Sequence, residues 1–258
     1  ELYGNYEKML SQHSEPGDIA IVSTPNWAHY ACAKFAMEKG CHVLVEKPFT
    51  MTYAEAQGLV ALADKNEVRL GVNLQLAHPM LKEYFMRKPL PSQAAWESTG
   101  SPAKYGNLIF DLLCHVLSPF ELEQSSIHKL CTTPGENGNS KSHIITNNRD
   151  LIEVRLGYVS SRPFRGWMWS DGTQLLYSPD RDTKKKYVDK CKLDGFHIDI
   201  VEVTPEGEYN IVLEGDPLDE STKKFIEGEP LITGKQALNI HKIVLDTIAA
   251  PLLEARLN

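Results

Sequence analysis

No run in the 258-residue sequence approaches the ~18 consecutive apolar residues that span a bilayer. The opening Glu1-Leu2-Tyr3-Gly4 has no basic stretch followed by an apolar one, so neither a membrane anchor nor a signal peptide is expected, and a first residue other than methionine points to a natural N-terminus elsewhere. Basic charge is also scarce. The 27 Lys and Arg are outnumbered by 34 Asp and Glu, a formal net charge of -7 that gives nucleic acid no electrostatic footprint. The short run Lys184 to Lys186 sits among Asp180, Asp182 and Asp189 and reads as a solvated turn. The 5 cysteines, Cys32, Cys41, Cys114, Cys131 and Cys191, are odd in number and never form a C-x-x-C pair. That pattern signals neither a disulfide framework nor a metal site and fits a reducing cytoplasm. Internal repeats and low-complexity tracts are missing as well. What remains, 42% apolar and 24% charged residues, is an ordinary globular composition with length for one large or two modest cores.

The chain opens with a helical pattern from Tyr3 to Gln12. The compact run Asp18 to Ser23 then reads as a buried strand ended by the turn Thr24-Pro25-Asn26. Trp27 to Lys39 has helical spacing closed by Gly40, and Cys41 to Val45 is a second buried strand. Thr52 with Glu55 three positions on starts a helix to Asn66, and Val68 to Asn73 is a third strand. Strand, helix, strand, helix, strand implies right-handed crossovers and a parallel sheet. The rhythm breaks after Pro79. Lys88-Pro89-Leu90-Pro91 and the small-residue segment Ser92 to Gly106 read as a connection, which sets expected domains at 1–88 and 89–258. Asn107 to Glu123 is helical. From Ile127 the chain carries β-rich runs, Leu151 to Val159, Gln174 to Tyr177, Ile198 to Val203 and Tyr209 to Leu213, expected to form a mostly antiparallel second sheet. Gln236 to Leu257 is a closing helix, expected to be interrupted by Pro251 and to pack back on the first domain. The fold class is therefore α/β plus α+β, a partial Rossmann-like parallel sheet with a second, mostly antiparallel sheet domain.

Three clusters could carry chemistry. Ser23-Thr24-Pro25-Asn26, with His29, stands at a strand's carboxyl end, where open parallel sheets bind ligands, although Thr and Asn there also serve as helix caps. In Glu46-Lys47-Pro48 the proline holds Lys47 extended at the sheet rim, where an ammonium can support alkoxide character on a substrate oxygen; a plain Glu46–Lys47 surface pair is the other reading. Asp111 and His115, four apart, share one helix face, so the carboxylate can orient the imidazole for proton transfer, or the two are an ordinary surface pair.

Together, the T-P-N turn, the E-K-P strand end and the G-x-x-x-x-D-x-x-x-H helix from Gly106 to His115 resemble the glucose-fructose oxidoreductase, inositol dehydrogenase and MocA family. The resemblance runs through Asp18 to Asn73, returns at Gly234 to Leu245, and is weakest from Ser126 to Asp216. It implies reversible hydride transfer between NAD or NADP and a secondary alcohol of a sugar, cyclitol or related carbohydrate-like substrate. It implies Lys47, Asp111 and His115 as the catalytic group. Ser23, Thr24, Pro25, Asn26, His29, Glu46, Lys47 and Asn73 would be at the cofactor, and a homo-oligomer would form through the second sheet. The family also opens with a strand and a G-x-G-x-x-G turn that holds the pyrophosphate, which these residues do not contain; about seventy further residues would be expected before Glu1. The stretch from Pro79 to Gly106 is short for the family's usual extra strand, Leu113 replaces a usual glycine, and Ser118 stands where a further Asp is common. Two rival readings stand beside the dehydrogenase: a non-enzymatic ligand sensor or regulatory subunit, and a redox-neutral lyase or hydrolase using NAD transiently.

Overall fold

The computed structural model describes residues 4–99, 114, 116–120, 127–134, 140–146, 150–159, 165–177, 198–214 and 217–257. The first helix, α1 (Tyr6–His13), is capped by the Asn5 side chain, which accepts from the Lys8 amide. Strands β1 (Ile19–Val22), β2 (His42–Glu46) and β3 (Leu70–Asn73) then form a parallel sheet in the order β1-β2-β3. Helices α2 (His29–Glu38) and α3 (Tyr53–Asn66) are its crossovers. In α2 the buried residues are His29, Cys32, Ala33, Ala36 and Met37, a 3–4 spacing that lays one stripe on the sheet. The expected Thr52–Glu55 box is present: the Glu55 amide donates to Thr52 Oγ1 and the Thr52 amide to the Glu55 carboxylate.

The second sheet has eight strands in the order β11-β10-β9-β8-β4-β7-β6-β5. Its members are β4 (Gln93–Thr99), β5 (Ile127–Pro134), β6 (Ser140–Thr146), β7 (Leu151–Val159), β8 (Arg165–Met168), β9 (Gln174–Tyr177), β10 (Ile198–Val203) and β11 (Tyr209–Glu214). All pairs are antiparallel except β4 with β7. Along β7 the buried Ile152, Val154 and Leu156 alternate with outward positions, the period of a strand with one covered face. Segment 92–106, expected as a connection, instead starts with a central strand: Ala94, Ala95 and Trp96 are buried in β4. A strand does therefore occupy the stretch between Pro79 and Gly106.

Helix α4 (Pro79–Met86) joins the sheets through an aromatic cluster, in which Phe85 meets Trp167 edge-on at 5.2 Å and stacks on Trp169 at 5.7 Å. Two closing helices follow, α5 (Pro217–Ile226), which sequence patterning had not flagged, and α6 (Gly234–Leu257), which continues through Pro251 instead of breaking there. Between them, Ile232 accepts from the Val72 amide and Thr233 bridges Gly71, covering the outer edge of β3. Helix α6 packs on α3 and β3 as well as on β5, and one buried hydrophobic cluster runs from α2 and α3 to Trp167 and β10.

Candidate functional site at the strand ends

The parallel sheet brings the ends of β1, β2 and β3 to one side, so the loops after Val22 and Glu46 and the last residue of β3 become neighbours. Asn73 is 2% exposed and lies opposite Glu46 in the register. Its Nδ2 donates to Glu46 Oε1, while its Oδ1 is buried without a hydrogen-bond partner. An amide oxygen left unsatisfied in a folded chain costs free energy unless a donor reaches it. Ser23 and Pro25 are exposed, Thr24 and Asn26 partly so, and Lys47 is half-buried on the next strand end. After Pro25 the chain makes a 3-10 turn, Asn26–Ala28, in which Trp27 is 78% exposed.

His29 is the first residue of α2 and is 1% exposed. Its Nδ1 lies 2.8 Å from the Pro48 carbonyl oxygen and its Nε2 lies 2.8 Å from that of Thr24. The imidazole thus faces the backbone of two strand-end loops. On the far side of the second loop, Thr50 Oγ1 donates to the Thr52 carbonyl and lies 3.2 Å from Nε2 of buried His241 on α6. Burial drives the His241 pKa down to about 4. Sequence reasoning had no signal for His241 beyond its place in a helical run, because its contact spans most of the chain.

Asp111 and His115, and the Lys184 to Lys186 run, lie outside the described residues, and so does the expected 4 to 8 Å approach of Lys47 to His115. Their neighbours are described: Cys114, Val116 and Leu117 are helical and buried, and the Trp167 indole N–H donates to the Val116 carbonyl at 3.2 Å.

Two other concavities hold different chemistry. A cavity of about 510 Å³ runs along β1 beneath α1, touching Ser23 and Thr24 but otherwise lined by residues such as Tyr6, Leu10, Ile19 and Ile21. β1 is the edge strand there, and Ile21 is 51% exposed, so this is an open sheet edge more than a polar reaction centre. The other, about 480 Å³, lies between α4 and β10–β11. There Glu202 is paired with Lys88 and accepts from Tyr84 and Asn210. Burial works against Glu202 ionising, but those bonds outweigh it and hold the carboxyl below its usual range. Its polar groups satisfy one another, which makes it a junction between α4 and the large sheet.

Residues 1–74 match the family model described as "Oxidoreductase family, NAD-binding Rossmann fold". The uncharacterized oxidoreductase YfiI of Bacillus subtilis is 40% identical over 73 residues, 27% of this chain and 19% of that protein. A UDP-N-acetylglucosamine 3-dehydrogenase of Acidithiobacillus ferrooxidans is 35% identical over 66 residues, 25% of this chain and 21% of its own length. The chain's sequence match thus spans about a fifth of these relatives. The solved structure of the Acidithiobacillus dehydrogenase superposes with a TM-score of 0.69 at 17% identity, covering 97% of this chain and 82% of that one. An NAD binding oxidoreductase from Klebsiella pneumoniae superposes at 0.72 and 12% identity, covering 98% and 82%. At those identities the superpositions establish the fold, a Rossmann-like parallel sheet joined to a mostly antiparallel one. Among the described residues no helix is long and apolar enough to cross a membrane.

Proposed function

We propose that this chain is part of an NAD- or NADP-dependent dehydrogenase acting on a secondary alcohol of a sugar, cyclitol or derivative. The observation that carries the reading is the convergence of Thr24-Pro25-Asn26, Glu46-Lys47-Pro48 and Asn73 at the carboxyl ends of three parallel strands, with the Asn73 Oδ1 acceptor buried and unsatisfied. That acceptor fits a nicotinamide nucleotide, which offers amide N–H and ribose O–H donors of the kind Oδ1 lacks. Ser23, Thr24, Pro25, Asn26, Glu46, Lys47 and Asn73 would hold that end of the cofactor.

When bound, the nicotinamide supplies the hydride acceptor or donor. Lys47 then donates a hydrogen bond to the substrate oxygen and favours its alkoxide form. His115 takes the hydroxyl proton in the oxidative direction and returns it in reduction, and Asp111, four positions earlier in the sequence, orients the imidazole. Glu46 fixes the Asn73 amide through its Nδ2, so that Oδ1 is the atom left for a ligand. The relatives named as UDP-N-acetylglucosamine 3-dehydrogenase and D-xylose 1-dehydrogenase (NADP(+)) support a carbohydrate substrate and leave the choice of cofactor open. Self-association through the second sheet belongs to the same proposal.

The test is absorbance-monitored reduction of NAD and NADP by a panel of sugars, cyclitols and nucleotide sugars, catalysed by the full-length protein. Turnover with at least one, lost by about a hundredfold or more in Lys47→Ala, is the expected result. No turnover with any, or full turnover in Lys47→Ala, would overturn it.

A further inference from the structure

We infer that His29 is a positioning residue, an imidazole clasp that ties the turn after β1 to the loop after β2. The inference deepens the proposed function, since those two segments carry Asn26 and Lys47. It also moves His29 from the cofactor-lining role implied by resemblance to a role behind the lining.

At 1% exposure the ring offers essentially no surface to a ligand, and each nitrogen already faces a main-chain carbonyl at hydrogen-bond distance. A carbonyl oxygen can only accept. The ring therefore stands wedged between two main-chain acceptors, with a nitrogen 2.8 Å from each.

The two acceptors supply the purpose. Thr24 lies one residue before Pro25-Asn26 and Pro48 one residue after Lys47, so a single rigid ring fixes the spacing of the two loops. The ring itself is held because His29 heads the buried stripe of α2, in line with Cys32, Ala33 and Ala36 on the sheet. β1 and β2 pair as far as Val22 and Val45, where their ladder stops. His29 continues the connection for one step past the sheet, at the place where ligand-facing side chains begin.

Amide hydrogen exchange tests this and requires no substrate or bound dinucleotide. In His29→Gln, which keeps one donor group, and in His29→Ala, exchange at Asn26, Lys47 and Phe49 should quicken together by about tenfold or more, with β3 and α4 unchanged. Quickening in one loop alone, or none in either variant, would overturn the clasp. Intact clasp signatures in a protein that binds no nicotinamide nucleotide would instead count against the proposed function alone.

Discussion

Trp167→Phe is the substitution that best separates the packing argument from mere shape. Trp167 is fully buried in β8, edge-on to Phe85 at 5.2 Å and to Trp96 at 6.1 Å, and its indole N–H donates to the Val116 carbonyl. Phenylalanine keeps an aromatic ring in the cluster but removes the donor, leaving a buried carbonyl short of a partner, which costs about 1–3 kcal/mol. It also removes part of a bicyclic side chain from a close-packed interior, and the space left adds roughly another 1–2 kcal/mol. The sum, about 2–4 kcal/mol, is a large fraction of a typical domain's stability. Urea denaturation followed by circular dichroism reads it as a lower midpoint at unchanged slope. Trp27→Phe, at the 78% exposed turn position, is the matched control and should shift stability by no more than about 0.5 kcal/mol. If Trp167→Phe costs no more than that control, the link from the large sheet to the helix at Val116 does not carry the weight assigned to it.

Three other outcomes follow from the same structure. Gly166→Ala should prevent stable folding, because at φ +149° an added Cβ would sit 2.0 Å from the Leu175 carbonyl oxygen, backbone that cannot move without breaking the β8–β9 pairing; soluble yield and thermal melting check it. Stability should fall with acid below neutrality: His241, held by burial at a pKa of about 4 against an ordinary value of 6.5, stays neutral in the fold while the unfolded chain takes up its proton, so lowering pH from 7 to 5 costs on the order of 2 kcal/mol at this site. His42 and His78, both also lowered by burial, add to the same slope, and urea titrations at the two pH values should show a smaller loss in His241→Gln. His115→Asn should lower turnover by about 10²- to 10⁴-fold with little change in cofactor affinity, read from steady-state kinetics.

The first sheet was legible because its physics is local. Short apolar runs ending in Thr-Pro-Asn and Glu-Lys-Pro, a Thr52–Glu55 box and Gly40 at positive φ each declare a boundary within a few residues. β4 was hidden because its buried positions include Ala94 and Ala95, small residues that carry little strand propensity and are interior only because β7 and β8 flank them. α5 was hidden in Asp219, Glu220, Ser221 and Thr222, a polar start whose anchor, Phe225, becomes visible only where its ring meets Gly71. At the site, sequence named Asn73, Lys47 and His29 but could not divide their labour. Whether a histidine faces a ligand or two carbonyls depends on chain segments 5 and 19 residues away, and spacing does not encode that.

The central claim is that the ends of β1, β2 and β3 receive a nicotinamide nucleotide, and its most direct test is backbone and side-chain NMR during titration with nicotinamide mononucleotide. This probe has no pyrophosphate, so it asks only about the strand ends. The account predicts shifts that saturate together at Asn26, Lys47 and Asn73, the Asn73 side-chain amide among them, and that are abolished in Asn73→Leu. Shifts confined to the α4–β10 junction around Lys88 and Glu202, or none at Asn73 at saturating ligand, would contradict it.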